Sequence, residues 1–207
     1  MNKTQIILVL LLSLFVLNTS KAEDSYVRFG ITQSTADMQA PSYNNLFTNN
    51  DDSVALTLVT AALGYKLHPF FNVELSVSTG LAEEDILQGP ETINGNVINY
   101  DVTLETTLFA TVYAVGQYPI LPGLHIQGRV GFGYGNYYRS LYYSQQSGSN
   151  GSEGPEEGFG VAWGAGLSYV SGQHGVALFY DTLPELDIGG DDVIETTGIS
   201  LLYQYHY

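Results

Sequence analysis

Apolar residues recur at every second position through most of the chain after residue 22, and a period of two belongs to strands with one apolar and one polar face. Val27, Phe29 and Ile31 alternate with Tyr26, Arg28, Gly30 and Thr32. Phe71, Val73, Leu75 and Val77 oppose Asn72, Glu74, Ser76 and Ser78. Leu124, Ile126, Val130, Phe132 and Tyr134 oppose His125, Gln127, Arg129, Gly131, Gly133 and Gly135. Val161, Trp163, Ala165, Leu167 and Tyr169 face away from Gly160, Ala162, Gly164, Gly166 and Ser168, and the last segment sets Ile199, Leu201, Tyr203, Tyr205 and Tyr207 against Gly198, Ser200, Gln204 and His206. Segments near 54–67, 99–115 and 175–183 alternate less cleanly. In the second of these Leu104, Leu108, Ala110 and Val112 oppose Thr103, Glu105, Thr107 and Thr111. No long window repeats at 3.6 residues, so the pattern predicts eight strands and an all-β chain.

The connections alternate in length. Short ones fall at His68-Pro69, 119–123 and 171–175, each with turn-forming Pro or Gly. Long ones run over about 35–53, 81–98, 140–158 and 184–192. Four long loops alternating with three short turns describe an eight-stranded antiparallel up-and-down barrel, with the long loops at one end and the short turns and both termini at the other.

Residues 1–22 stand apart. Lys3 supplies a basic start, Ile6 to Leu17 a mostly apolar run, and Ser20-Lys21-Ala22 a small-x-small site. This is the pattern of a cleaved secretory signal peptide, and the run is shorter than the roughly 17 to 25 residues of a spanning helix. The expected barrel domain is therefore 23–207. Its bases are Arg28, Lys66, Arg129 and Arg139 alone, against all 21 acids of the chain.

Those few charges decide which solvent meets the apolar face. A soluble barrel carries Lys, Arg, Asp and Glu on its exterior, whereas a membrane barrel turns its apolar residues outward and keeps polar ones inside. Here Arg28, Lys66 and Arg129 fall on the polar face with Glu74, Glu105 and Asp181, a set whose charges cancel. The expectation is a transmembrane barrel whose lumen is filled by this network. Aromatic residues support it by clustering at two heights: Tyr65, Phe70, Phe71, Tyr118, Tyr169, Tyr203, Tyr205 and Tyr207 lie near the short turns, and Tyr100, Tyr137, Tyr138, Tyr142, Tyr143 and Phe159 near the long loops.

The chain resembles the small OmpA/OmpX-type outer-membrane β-barrel domains of Gram-negative bacteria. The most specific part of the resemblance is the end, residues 198–207. There Gly198, Leu201, Tyr203, Tyr205 and Tyr207 are similar to the terminal strand recognised by the outer-membrane insertion machinery, with Tyr207 where many members have Phe. The stretch from Arg129 to Gly135 is similar to a glycine-aromatic strand common in the group. The resemblance implies location in the outer membrane after export through the periplasm. It also implies contact with outer-membrane lipid and lipopolysaccharide, and assembly by the insertion machinery.

Few side chains suggest chemistry. With Cys 0 there is no disulfide, thiolate metal site or cysteine nucleophile. His68, His125, His174 and His206 have no metal or catalytic spacing. None is followed by the His-x-Ser arrangement of lipopolysaccharide-deacylating barrels, and no Gly-x-Ser-x-Gly elbow, phosphate loop or zinc motif occurs. Acids gather in the expected loops: Asp37, Asp51 and Asp52; Glu83, Glu84, Asp85 and Glu91; Glu153, Glu156 and Glu157; Glu185, Asp187, Asp191 and Asp192. Oxygen ligands on loops suit divalent cations, but no loop has EF-hand spacing, and the acids read instead as solvation of exposed loops. A net charge of -15 disfavours nucleic acid. The glycines at 131, 133, 135, 160, 164 and 166 read as curvature and as space for larger side chains. The expectation is a monomeric, non-enzymatic barrel without cofactor or metal, with a structural or surface-interaction role in adhesion or envelope integrity and a possible partner at its acidic extracellular loops. A narrow porin-like channel and a soluble secreted ligand-binding barrel remain as alternatives.

Overall fold

The computed structural model describes residues 25–39, 53–93, 96–145, 148–189 and 192–207. The expected signal peptide lies outside them, as do Asp51, Asp52 and Asp191. Among the described residues ten strands follow in chain order: β1 (Ser25–Gln39), β2 (Ser53–His68), β3 (Phe71–Gly80), β4 (Glu83–Ile93), β5 (Asn96–Leu121), β6 (Leu124–Gln145), β7 (Gly148–Ser171), β8 (His174–Thr182), β9 (Leu186–Gly189) and β10 (Asp192–His206).

Eight of them close a ring. The antiparallel order β1, β2, β3, β5, β6, β7, β8, β10 returns to β1, where Tyr26 pairs with His206 and Gln39 with Val193. Closure leaves no row of unpaired backbone groups, the condition for crossing a bilayer with strands. The other two continue interrupted staves: β4 pairs with the upper part of β5 and β9 with β10. The three short turns are Pro69-Phe70, Pro122-Gly123 and Gly172-Gln173. Gly123 and Gly172 hold φ of 78° and 63°, a backbone region that other residues enter at a cost.

The height of the spanning wall is set by the shortest staves, β3 with 10 residues and β8 with 9, close to the roughly 9 to 11 residues a tilted membrane strand needs. β5, β6 and β7 have 26, 22 and 24 residues and continue past that height as paired hairpins. This corrects the expected long loops: 83–93, 96–98 and 148–158 are paired strand, so Glu83, Glu84, Asp85, Glu91, Glu153, Glu156 and Glu157 sit on ladders. Asp37 lies on β1, Asp187 on β9 and Asp192 on β10.

The apolar face points outward. Phe29, Ile31, Val112, Val130, Phe132, Val161, Leu178, Ile199 and Leu201 are each about half exposed, while their polar neighbours on the same strands are buried. Among the described aromatics, Tyr65, Phe70, Phe71, Tyr118 and Tyr169 are exposed at the short-turn end, and Phe159 is exposed toward the other. Tyr137 is a correction. It is fully buried inside the barrel, packed edge-on against Phe109 with its hydroxyl on Thr196 Oγ1.

Candidate functional site

Because alternate residues of β1 point inward, the lumen can be followed layer by layer along it. Ala36, toward the long hairpins, joins an apolar layer with Val54, Leu56, Leu58, Phe109, Tyr137 and Ile194. Beneath it, Thr32 lies in a ladder of hydroxyls: Ser200 Oγ to Thr32 Oγ1 at 2.8 Å, Thr32 to Thr60 Oγ1 at 2.9 Å, and Thr60 to Ser78 Oγ at 2.8 Å. Each rung spans two neighbouring staves, so four staves share one belt of hydrogen bonds.

Arg28 opens the next layer, which is charged. Its Nη1 donates to Glu74 Oε2 at 2.7 Å, its Nε to Gln204 Oε1 at 2.9 Å and its Nη2 to Gln127 Oε1 at 2.8 Å. Arg129 donates from Nη1 to Glu74 Oε1 at 2.8 Å and grips Asp181 with both Nε, at 2.8 Å, and Nη2, at 2.6 Å. Tyr26 Oη donates to Glu74 at 2.9 Å and Ser200 Oγ to Asp181 at 2.8 Å. Arg28 and Glu74 have no exposed surface, Asp181 has 1% and Arg129 6%. Two positive and two negative groups cancel, and each carboxylate oxygen accepts at least one hydrogen bond. That completeness is what ions removed from water require.

Aromatic rings and glycines frame the layer. The Phe179 ring lies between the guanidiniums, 5.1 Å from that of Arg28 and 4.2 Å from that of Arg129, while Tyr26 flanks the first at 4.6 Å and Tyr113 the second at 4.7 Å. Glycine on the neighbouring stave makes room for these groups. A Cβ on Gly64 would fall 2.0 Å from the Tyr26 ring, and one on Gly164 would fall 2.0 Å from Asp181 Oδ1. Of the glycines expected to leave space, Gly164 faces Asp181, Gly131 the Tyr113 ring and Gly166 the Phe179 ring, whereas Gly133 faces Thr111 and Gly160 the backbone of Glu185.

Four of the six charges singled out in the sequence, Arg28, Glu74, Arg129 and Asp181, meet in this layer; Lys66 and Glu105 do not. Lys66 keeps the inward parity of β2 but lies exposed at the short-turn rim. Glu105 is exposed because β5 carries an extra residue between Thr106 and Leu108, which moves the inward positions from Phe109, Thr111 and Tyr113 below it to Thr106 above. The less regular alternation of that segment was the available signal. Missed by sequence reasoning were the partners without charge: Tyr26, Gln127, Ser200 and Gln204 were seen only as members of the polar face.

Below the charged layer the lumen opens. A cavity of about 170 Å³ at the short-turn end is lined by Lys66, Asn72, Gln117, His125, Gln127 and His206 among others. Among the described residues no group of three or more His, Asp or Glu side chains is placed to hold a metal ion. At the end of the chain, Tyr207 N donates to Ser25 O at 3.2 Å and its ring meets Tyr205 edge-on at 5.4 Å, so the last residue helps close β10 onto β1. Gly198 and Leu201 lie in the same seam, opposite Ser34 and Ile31, and Tyr203 lies opposite Phe29.

A family model described as outer membrane protein beta-barrel domain matches residues 6–206. No curated protein matches the sequence. Among solved structures, Neisserial surface protein A (NspA) is similar over 91% of this chain and 100% of its own, at 12% identity and a TM-score of 0.53, a likeness of fold. Ail, the attachment invasion locus protein of Yersinia pestis, is 17% identical over 89% of this chain and 100% of its own with a TM-score of 0.46. The outer membrane protein OprG from Pseudomonas aeruginosa is 13% identical over 90% and 98%, with a TM-score of 0.48.

Proposed function

The chain belongs to the outer membrane protein beta-barrel domain family, and from that premise we propose that it is a non-enzymatic barrel whose lumen is closed by its own side chains and whose long-hairpin end serves envelope integrity or adhesion. The observation that carries this is the filled lumen: a neutral, hydrogen-bonded layer of Arg28, Glu74, Arg129 and Asp181 beneath an apolar layer. A plug of this kind suits a wall that anchors and presents surface structure, and function in such folds resides in what projects from the wall.

In this proposal residues 1–22 direct export and are removed. The apolar exterior holds the barrel among outer-membrane lipids and lipopolysaccharide, and Gly198, Leu201, Tyr203, Tyr205 and Tyr207 present the terminal strand to the insertion machinery. The acidic residues beyond the spanning wall are the surface available to an extracellular partner. Purified protein in a planar bilayer is expected to show no steady conductance. A reproducible large open state would overturn the plug and favour the second reading, a narrow channel, whose support is the cavity already reaching from the short-turn mouth to the charged layer.

A further inference from the structure

His206 sits where the aqueous mouth of the lumen meets the charged layer. It lies near the end of β10, partly exposed, and lines the short-turn cavity with Tyr26, Lys66, His125 and Gln204 among others. Its ring nitrogen Nε2 meets Gln204 Nε2. Gln204 in turn accepts through Oε1 from Arg28 Nε at 2.9 Å. A single side-chain amide thus stands between an imidazole at the mouth and the fully buried guanidinium of Arg28.

The protons in these two bonds follow by elimination. Arg28 Nε can only donate, so the atom of Gln204 that faces it is the oxygen, and the amide nitrogen faces His206. That nitrogen also only donates. His206 Nε2 must therefore accept, which makes the ring neutral with its proton on Nδ1. A protonated ring carries N–H on both nitrogens and has nothing with which to accept. Turning the Gln204 amide over does not resolve the conflict, because its N–H would then oppose Arg28 Nε. In this geometry the Gln204 oxygen serves Arg28 or a protonated His206, and not both.

Charge acts in the same direction. The His206 ring lies 5.6 Å from the ring of Tyr26, over which the Arg28 guanidinium sits at 4.6 Å, so an imidazolium would share that ring with a second cation. The other bases facing His206 across the cavity are Lys66 on β2 and His125 on β6, and among the described lining residues none is an acid. The carboxylates of the layer, Glu74 and Asp181, are already held by Arg28, Arg129, Tyr26 and Ser200.

We propose that His206 is a pH sensor for the lumen: on taking up a proton from the short-turn side it draws the Gln204 oxygen to itself and frees Arg28 Nε, so that acid loosens the mouth-facing half of the charged layer while the Arg129–Asp181 half stays closed. Arg28 keeps Glu74 and Gln127, so the layer slackens without coming apart.

The test follows the folded barrel in lipid nanodiscs by NMR from about pH 8 to about pH 5, the span in which imidazole ordinarily titrates. It reads the Nε–H signals of Arg28 and Arg129 and the ring signals of His206 and His125. Arg28 is expected to shift with the midpoint of His206, and Arg129, whose Nε is held by Asp181, to stay in place. His206→Gln supplies an oxygen that accepts from Gln204 and cannot titrate, and should abolish the Arg28 shift. His125→Gln, in the same cavity, should leave it. In Gln204→Met, His206 should still titrate and Arg28 should no longer follow; should this variant not fold, His206→Gln at the partly exposed mouth still decides. An Arg28 signal that stays put while His206 titrates, that keeps its transition in His206→Gln, or that follows His125 overturns the relay, as does a His206 ring without a transition over this range. The measurement reads contacts and not conductance, so its failure leaves the proposed plug standing, and a conducting barrel leaves the relay standing.

Discussion

Replacing Arg129 with Met keeps an unbranched stem in the lumen and removes a charge that holds two carboxylates at once. Three hydrogen bonds are lost, at 2.8, 2.6 and 2.8 Å. Glu74 keeps Arg28 and Tyr26, but Asp181, 1% exposed, is left with the Ser200 hydroxyl alone. Removing one partner of a buried pair costs about 3 to 5 kcal/mol because the other charge stays desolvated. The upper part of that range is expected here, since Asp181 loses both its charge partner and its bidentate grip. At about 1.4 kcal/mol per decade, the folding equilibrium should fall by roughly three decades or slightly more. Arg129→Met combined with Asp181→Asn returns the layer to the neutral Arg28–Glu74 pair. The double variant should therefore lose less than the sum of the single losses, by up to about 3 kcal/mol. Reversible urea unfolding in lipid vesicles can read this through Trp163, the single tryptophan, half exposed on the outer wall. A loss under about 1 kcal/mol for Arg129→Met, with additive behaviour in the double variant, would mean that water reaches the layer and that the desolvation reasoning is wrong.

Gly164→Ala should destabilise by about 1 to 3 kcal/mol, because its Cβ would lie 2.0 Å from Asp181 Oδ1 and must displace the carboxylate that Arg129 grips; an unchanged urea midpoint would show that the pair can move aside at no cost. Val130→Ala trims an exterior side chain facing lipid and should shift the midpoint far less than either lumenal change. Deleting Tyr207 or replacing it with Lys should lower the yield of heat-modifiable barrel in the outer-membrane fraction, since the residue closes the chain onto Ser25. Equal surface levels for wild type and variant would remove the terminal residue from the assembly signal.

Alternation alone determined a great deal. A period of two assigns each side chain to one of two faces, so the inward set of Arg28, Glu74 and Arg129 and the outward set of Phe29, Leu75 and Val130 were legible before any coordinates, as was the ring of eight staves implied by long and short connections. Parity also carried information that was not used: Tyr137 shares the odd, inward register of Arg129, and its burial follows from counting. Counting fails where the register slips. The extra residue of β5 between Thr106 and Leu108 sends Glu105 outward, and a single inserted residue leaves no composition signal. The length of the strands was hidden too, because Gly, Ser and Glu residues that look like a loop can still pair in a hairpin when a neighbouring strand supplies the partner groups, as in 148–158. Closure of the ring determined the rest. It brings β1, β3, β6 and β8 to within one side chain of each other across a narrow lumen. Only then does Arg28 find Glu74 and Arg129 find both Glu74 and Asp181, since contacts between residues 46 to 55 positions apart are a property of barrel diameter and stagger, which no local pattern encodes.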